Sequence, residues 1–134
     1  MAPVSATESR HFHGELEQLR LQVELMGLRV EENLTRMGEV LRTGDTTLVG
    51  PALVVDNEID TMNVSLTERC YQLLTLESPV ASDLRFIVSM LRITSELERV
   101  GDLSLRVIKL ADEVPLLRSA GPIWDSLLNL VAGA

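Results

Sequence analysis

The sequence predicts an all-α protein, an antiparallel up-down-up three-helix bundle followed by a short fourth helix. Apolar residues recur every three or four positions through most of the chain, which is the period of one helix face. Only 3% of the residues are aromatic while 46% are apolar, so leucine, valine, isoleucine and methionine must build the core. Gly44 and the turn before Pro79 divide the pattern into three long segments. Their short connections favour antiparallel neighbours.

The first helical segment begins near Ser9 and ends before Gly44. Its apolar stripe has a spacing close to 3.5 residues and consists of Phe12, Leu16, Leu19, Val23, Met26, Val30, Leu34, Met37 and Leu41. This spacing is typical of helices that pack nearly parallel or antiparallel to one another. Gly44 suits the position just after a helix C-terminus, and Asp45 or Thr46 can cap the next helix.

The second segment extends from about Leu48 to Leu76. Its stripe consists of Val49, Ala52, Asp56, Ile59, Asn63, Leu66, Cys70 and Leu73. Two of these positions are polar, and Asp60 lies at the edge of the stripe. Pro51 falls within the first turns and predicts either a kink or a helix that begins near that residue. Cys70, which has apolar neighbours, is expected to be a small buried side chain.

The third segment is expected to start with Ser78 as N-cap and Pro79 at the first helical position. It extends to about Asp112, and Pro115 is expected to end it. One stripe comprises Leu84, Ile87, Leu91, Glu98, Asp102, Leu105 and Ile108, and a second comprises Phe86, Met90, Ile93, Leu97, Val100 and Val107. A helix with two apolar stripes packs on more than one side, so a second bundle or a partner subunit is expected on its far side.

Composition excludes several classes of protein. The formal net charge of −8 argues against a nucleic-acid partner, because binding to phosphates needs clustered lysine and arginine. The single cysteine cannot form an internal disulfide, which fits a reducing compartment. No signal-peptide pattern is visible, and no apolar run approaches the roughly 20 residues that span a bilayer. A cytoplasmic protein without membrane insertion is therefore expected.

Two acidic pairs carry the candidate chemistry. Asp56 and Asp60, like Glu98 and Asp102, are four residues apart and so share one helix face. A hairpin with its turn centred near Glu77 brings the four carboxylates together and sets Asp56 opposite Glu98. Their repulsion requires compensation by protonation, by a basic side chain or by a bound cation.

We call the line of contact between the second and third helices, which carries the four carboxylates, the seam. A multivalent cation is the favoured compensation there, because Arg92 and Arg99 are expected to point away from the seam. Oxygen ligands suit Mg²⁺, Mn²⁺, Ca²⁺ or iron better than zinc, and bridging carboxylates can hold more than one ion. The alternative is a solvated acidic face without metal. A di-iron bundle would need Glu-x-x-His pairs, whereas His11 and His13 lie far from these acids in the sequence. No nucleophile–base pair is present, so no enzyme is predicted.

Three motifs together resemble the PhoU family of phosphate-transport regulators. They are Ser9-Arg10-His11-Phe12 with Glu15-Leu16 and Leu19, then Pro79-Val80-Ala81-Ser82-Asp83-Leu84-Arg85, and finally Leu97-Glu98-Arg99-Val100-Gly101-Asp102. The resemblance implies an all-helical fold built from tandem three-helix bundles, with acidic E/D-x-x-x-D motifs that bind metal clusters, iron in some members. In this chain the residues that match those motifs are Asp56 with Asp60 and Glu98 with Asp102.

The resemblance also implies a function and a domain organisation. It implies a cytoplasmic, non-enzymatic regulator that restrains phosphate uptake and phosphate-starvation signalling by contacting a membrane sensor histidine kinase and the ATPase of the phosphate importer. Residues 1–8 are then a flexible tail and residues 9–112 one three-helix bundle. Residues 113–134 are a linker and the truncated first helix of a second repeat, its helix covering Ile123 to about Val131. The exposed bundle surface that this leaves predicts a homo-oligomer, formed by self-association or by exchange of the last helix between chains.

Overall fold

Helices make up most of the described part of the chain, residues 6–76 and 79–133 of a computed structural model. The elements of this part are α1 (Ala6–Thr43), α2 (Val49–Leu76), α3 (Ala81–Ile108), α4 (Val114–Arg118) and α5 (Pro122–Ala132), with 3-10 turns at Thr46–Leu48 and Ala111–Glu113. These ranges contain no strand, and the predicted all-α class is confirmed. The proposed N-terminal tail lies largely outside the described residues.

The connection from α1 to α2 follows the predicted turn chemistry. Gly44 has a φ of 70°, a conformation that glycine adopts without a steric penalty, and its N–H donates to the carbonyl of Val40 at 2.7 Å. Asp45 caps the 3-10 turn by accepting hydrogen bonds from the backbone N–H and the hydroxyl of Thr47, at 2.9 and 2.6 Å. Pro51 lies in the first turn of α2, where its missing N–H leaves no bond unmade.

The predicted boundaries of α3 are wrong at both ends. The helix begins at Ala81, with Val80 as an N-cap that makes no side-chain hydrogen bond. Pro79 therefore precedes the helix, while the predicted cap Ser78 lies outside the described residues. At the other end α3 stops at Ile108, and Pro115 occupies the first turn of α4. Proline is tolerated in the first turn of a helix, so Pro115 marks a new helix rather than the end of α3.

The three long helices each contact the other two. Their buried side chains form two clusters along the molecule. The first contains Phe12, Leu16, Leu19, Val23, Met26, Val30, Val55, Ile59, Leu66, Cys70, Leu73 and Ile87. The second contains Val40, Leu41, Ala52, Leu105, Ile108, Ala111, Val114 and Trp124. None of the helices in residues 6–76 and 79–133 has the length and apolarity needed to cross a membrane.

The apolar stripe of α1 drifts away from its predicted course near the junction of the two clusters. Leu34 is 39% exposed, and Asn33 is fully buried in its place. The Asn33 Nδ2 donates to the carbonyl of Ala52 at 3.1 Å, which ties α1 to α2. The buried or partly buried positions keep alternating steps of three and four residues, from Val30 to Asn33, Met37 and Val40. The predicted stripe instead takes two successive four-residue steps, from Met26 to Val30 and on to Leu34, which places Leu34 beside the core rather than in it.

The short C-terminal helix packs on the second cluster. Trp124 is 7% exposed and contacts this cluster, and α5 lies against α1. Gly121 has a φ of 65° and leads into the helix, with Pro122 in its first turn. The predicted helix at Ile123–Val131 is confirmed within one residue at each end. Three large apolar side chains of α5 remain exposed, namely Ile123, Leu127 and Leu130.

Candidate metal site on the seam between α2 and α3

The two acidic pairs lie where α2 and α3 approach closely. Gly101, between Glu98 and Asp102 in α3, makes this approach possible. A Cβ atom at Gly101 would lie 3.3 Å from Cδ1 of Ile59, the residue between the two aspartates of α2. That distance is tighter than an ordinary van der Waals contact, so Ile59 would have to shift by a few tenths of an ångström to admit a side chain here.

Asp60, rather than Asp56, is the carboxylate that affects Glu98 most strongly. Asp60 is a hydrogen-bond partner of Glu98, and it acts on that group more strongly than Asp56 or Asp102 does. Asp56 in turn interacts with both Asp60 and Asp102. The predicted pairing of Asp56 with Glu98 is therefore shifted along the seam. The shift arises because α3 starts at Ala81, which moves the centre of the hairpin beyond the predicted Glu77, itself outside the described residues.

The carboxyl group of Glu98 is partly buried and is repelled by the other three carboxylates. Burial, a hydrogen bond with Asp60 and repulsion from Asp60, Asp56 and Asp102 raise its pKa from 4.5 to about 7. The Glu98 Oε2 atom is buried and has no hydrogen-bond partner. A hydrogen bond between two carboxyl groups needs a proton, so near neutral pH Glu98 is poised between the protonated and the charged form.

Asp56 lies deepest on the α2 side. It is 9% exposed, and burial, followed by repulsion from Asp60 and Asp102, raises its pKa, while Lys109 has a smaller opposing effect. A buried carboxylate without a paired cation is costly. This cost favours either protonation of Asp56 or the approach of a cation to the seam.

The outer two carboxylates are in contact with solvent. Asp60 is exposed, and Asp102 forms an ion pair of 3.1 Å with Arg106, one turn further along α3. Arg106 and Lys109 were not identified from the sequence as basic side chains near the seam. Their spacing from Asp102, four and seven residues, could have indicated it, because residues at these intervals lie on the same side of a helix. Arg106 is 72% exposed, so its pairing with Asp102 is weak and exchangeable.

The donor set fits a hard cation in its chemistry. The four side chains offer only oxygen atoms, and the unpartnered Glu98 Oε2 lies among them. In the present side-chain arrangement, however, the described residues contain no group of three or more His, Cys, Asp or Glu that could hold a metal ion. Metal binding would therefore require Asp60, Glu98 and Asp102 to change rotamer, and the exposure of Asp60 and Asp102 permits that change.

The other candidate groups lie away from this seam. His11 is 3.5 Å from Glu15 of the same helix, and His13 is 3.8 Å from Asp83 at the start of α3. Cys70 is fully buried in the first cluster, and burial raises the pKa of its thiol. Its interpretation as a small core residue is confirmed.

Comparison with known proteins identifies relatives over most of the chain. A family model described as PhoU domain matches residues 23–111. The phosphate-specific transport system accessory protein PhoU of Serratia marcescens is 34% identical over 105 residues, covering 78% of this chain and 43% of the relative. Homolog 1 of the protein in Thermotoga maritima is 36% identical over 131 residues, covering 92% of this chain and 56% of the relative.

The chain spans about half the length of the relatives it matches. The corresponding protein of Escherichia coli K12 is 32% identical, with 78% of this chain and 44% of the relative covered. No solved structure gives a significant match. The matched residues include both acidic pairs.

Proposed function

Because the chain belongs to the PhoU family, we propose that it is a non-enzymatic adaptor of a phosphate-specific transport system that binds metal ions on the α2–α3 seam. In this role it lowers phosphate uptake and restrains phosphate-starvation signalling. Its partners are the ATPase of the phosphate importer and a membrane sensor histidine kinase, both reached from the cytoplasm. The names of its relatives, which describe accessory proteins of phosphate-specific transport, support the first part of this proposal.

The observation that carries the metal proposal is the state of Glu98. Its buried, unpartnered Oε2 and its pKa of about 7 indicate a carboxyl group that needs either a proton or a cation. Asp56, Asp60, Glu98 and Asp102 would be the ligands, and iron, Mn²⁺ or Mg²⁺ would suit them, as one ion or as a small cluster bridged by carboxylates. A bound cation would offset the repulsion that now raises the pKa of Asp56 and Glu98.

The fold supports this use of the seam. Mutual contacts among α1, α2 and α3 and the short connections between them support an antiparallel up-down-up bundle. In such a bundle the seam crosses the junction between the two buried clusters. Two rigid helices then hold the carboxylates, which is the kind of support that a metal site requires.

Metal binding is tested by calorimetric titration of chelator-treated protein with Mn²⁺, and separately with Fe²⁺ under anaerobic conditions. The wild-type protein should bind metal and should melt at a higher temperature as the metal concentration rises, since a ligand of the native state stabilises it by mass action. The double variant Asp56→Asn with Glu98→Gln should lose both effects. The matched control, Glu58→Gln with Glu68→Gln, removes two exposed acids from α2 outside the seam and should bind like the wild type.

Regulation of phosphate uptake is tested separately, in cells lacking their own PhoU. Expression of this chain should lower phosphate uptake and the output of a phosphate-starvation reporter. If the chain binds metal in vitro but changes neither readout, the metal site stands and the regulatory role of the chain fails. If the double variant still regulates, the role does not depend on metal.

A second candidate function is a metal-free interaction bundle. The ion pair between Asp102 and Arg106 favours it, because a basic side chain already compensates one of the four charges. Under this alternative, Glu98→Gln would only relieve repulsion and stabilise the fold. Wild-type protein that binds no metal in either titration would leave this candidate as the better account.

A further inference from the structure

A dipeptide of arginine and an apolar residue repeats every seven residues along α3. The four copies are Arg85-Phe86, Arg92-Ile93, Arg99-Val100 and Arg106-Val107. In a chain with a net charge of −8, four of the twelve lysine and arginine residues thus form one row. Only the last arginine, Arg106, pairs with an acid of the seam. Phe86 and Val107 pack partly against the two core clusters, but the core does not explain the exposed Ile93 and Val100 or the arginines beside them.

The arginine row faces solvent and is largely unpaired. All four arginines are exposed, and Ile93 and Val100 beside them are 42% and 37% exposed. Arg106 pairs with Asp102, whereas the guanidinium groups of Arg85, Arg92 and Arg99 form no ion pair or hydrogen bond with any described residue. By contrast, the described arginines of α1 beyond residue 10 are all paired with neighbouring glutamates.

A seven-residue repeat has a structural meaning. Residues seven apart stay nearly in line along a helix, drifting by about 20° per repeat. A second helix that crosses at about 20° can follow such a row over its full length. The row from Arg85 to Arg106 covers about 30 Å at the rise of an α-helix. It therefore presents a surface suited to one long helix with acidic and apolar residues at matching intervals.

The outer face of α1 has this complementary pattern. Glu17, Glu24 and Glu31 are also seven residues apart, and all three are exposed. Beside them runs an apolar row pointing away from the core, Leu21, Leu25 and Leu28, which are 50%, 43% and 56% exposed. Glu17 and Glu24 now share Arg20 within α1, an exposed pairing that is readily exchanged.

We infer that the arginine row of α3 is a docking surface for the outer face of α1 from a second copy of this chain, with Arg92 and Arg99 pairing with Glu24 and Glu31. Ile93 and Val100 then cover Leu21 and Leu28. The two faces have the same seven-residue period and carry opposite charges, and both leave apolar side chains in water that the contact would cover. The inference rests on neither metal binding nor phosphate regulation, and it assigns the expected self-association to named surfaces.

Charge reversal tests this contact by analytical ultracentrifugation of the 134-residue chain. The wild-type chain should self-associate, and more weakly as the salt concentration rises. The variant Arg92→Glu with Arg99→Glu and the variant Glu24→Arg with Glu31→Arg should each weaken self-association by on the order of 100-fold, because like charges then face each other. The control, Glu68→Arg with Glu113→Arg, makes the same charge change as the second variant but outside both faces, and it should associate like the wild type.

Mixing the two interface variants provides the decisive result. The acidic α3 of one variant faces the basic α1 of the other, so the mixture should form a hetero-complex although neither variant associates alone. A chain that carries all four substitutions should again self-associate. Circular dichroism first shows whether each variant retains its helix content. Only variants that retain it are mixed, so a failure to associate cannot be attributed to unfolding.

Three outcomes would overturn the inference. They are a wild-type chain that stays monomeric at high concentration, interface variants that associate like the wild type, and a mixture that forms no complex. A monomeric chain that binds vesicles of anionic phospholipid, and loses this binding with Arg92→Glu and Arg99→Glu, would instead assign the arginine row to a membrane surface.

Discussion

At the scale of single residues, the seam owes its properties to burial. Glu98 and Asp102 lie one turn apart on the same face of α3, but their side chains have different surroundings. Asp102 reaches solvent and Arg106, whereas Glu98 has a buried oxygen without a partner and a pKa raised to about 7. On α2, Asp56 and Asp60 likewise differ in burial, since Asp56 is buried and Asp60 is exposed.

The pH dependence of stability follows from Glu98. Because its pKa rises from 4.5 in the unfolded chain to about 7 in the fold, the folded state holds the proton more tightly. This contribution is fully present below the unfolded pKa and is lost as the pH rises through about 7. In metal-free protein, the free energy of unfolding should fall by about 1–2 kcal/mol from acidic to mildly alkaline pH, after allowance for solvent screening.

Denaturant titrations across this pH window check the prediction, with Glu98→Gln as the comparison. The variant should show a flatter dependence and should be more stable than the wild type above neutral pH. Equal pH dependence of the two proteins would contradict it. The four carboxylates titrate as a coupled group, so the difference between the two curves is the quantity to compare.

A second residue-scale prediction concerns Asn33. Asn33→Ala should lower the free energy of unfolding by about 2 kcal/mol, because it removes a buried hydrogen bond to the carbonyl of Ala52 and leaves a small cavity. Its neighbour provides the control, since Leu34 is 39% exposed and Leu34→Ala should cost less than half as much. Urea denaturation of both variants measures this. A larger loss for Leu34→Ala would support the stripe predicted from the sequence instead.

At the scale of helices, Gly101 sets the distance between α2 and α3. A Cβ atom there would meet Ile59 at 3.3 Å and would also come within 3.7 Å of Val30 in α1, so all three long helices meet at this point. Glycine inside a helix is less favourable than alanine by about 1 kcal/mol. The close approach that it permits is the compensation, and it keeps the two acidic pairs in contact.

Substitution at two glycines separates this packing role from helix propensity. Gly101→Val should destabilise the fold by about 2–3 kcal/mol, because the branched side chain overfills the contact with Ile59 and Val30. Gly27→Ala in α1, where a Cβ atom would meet nothing within 4 Å, should instead stabilise it by up to about 1 kcal/mol. Thermal denaturation of the two variants distinguishes them, and shifts of equal sign would contradict a packing role for Gly101.

At the scale of the whole molecule, the C-terminal segment belongs to the core of this chain. Trp124 is buried against the second cluster together with Val114, and α5 lies along α1. A linker followed by an independent helix would leave this tryptophan exposed. Residues 114–132 therefore pack on the long helices in the present chain, whether or not they also begin a second repeat.

Trp124→Ala should therefore lower the stability of the entire fold by about 3–5 kcal/mol, the usual cost of removing a large buried side chain. Chemical denaturation followed by circular dichroism should show one transition at a lower midpoint, since α5 and the long helices share a cluster. The exposed residue Ile123, 75% accessible, supplies the control, and Ile123→Ala should have little effect. A separate early transition in the variant would indicate that the segment folds by itself.

On α3 the predicted stripes were only partly right, because Leu84 and Ile93 are exposed while Thr94 and Ser104 are buried. The sequence alone determined the three long helices and the C-terminal helix, most of the core positions of α1 and α2, and the turn at Gly44 and Asp45. These follow from local rules, because helix periodicity and turn chemistry depend on neighbours within a few residues. Only the tertiary structure decided that Asp60 rather than Asp56 meets Glu98, that Asn33 replaces Leu34 in the core, and that Arg106 compensates Asp102. Each depends on how far one helix is shifted or rotated against another, and a displacement of half a turn there changes which side chains meet without changing the local pattern.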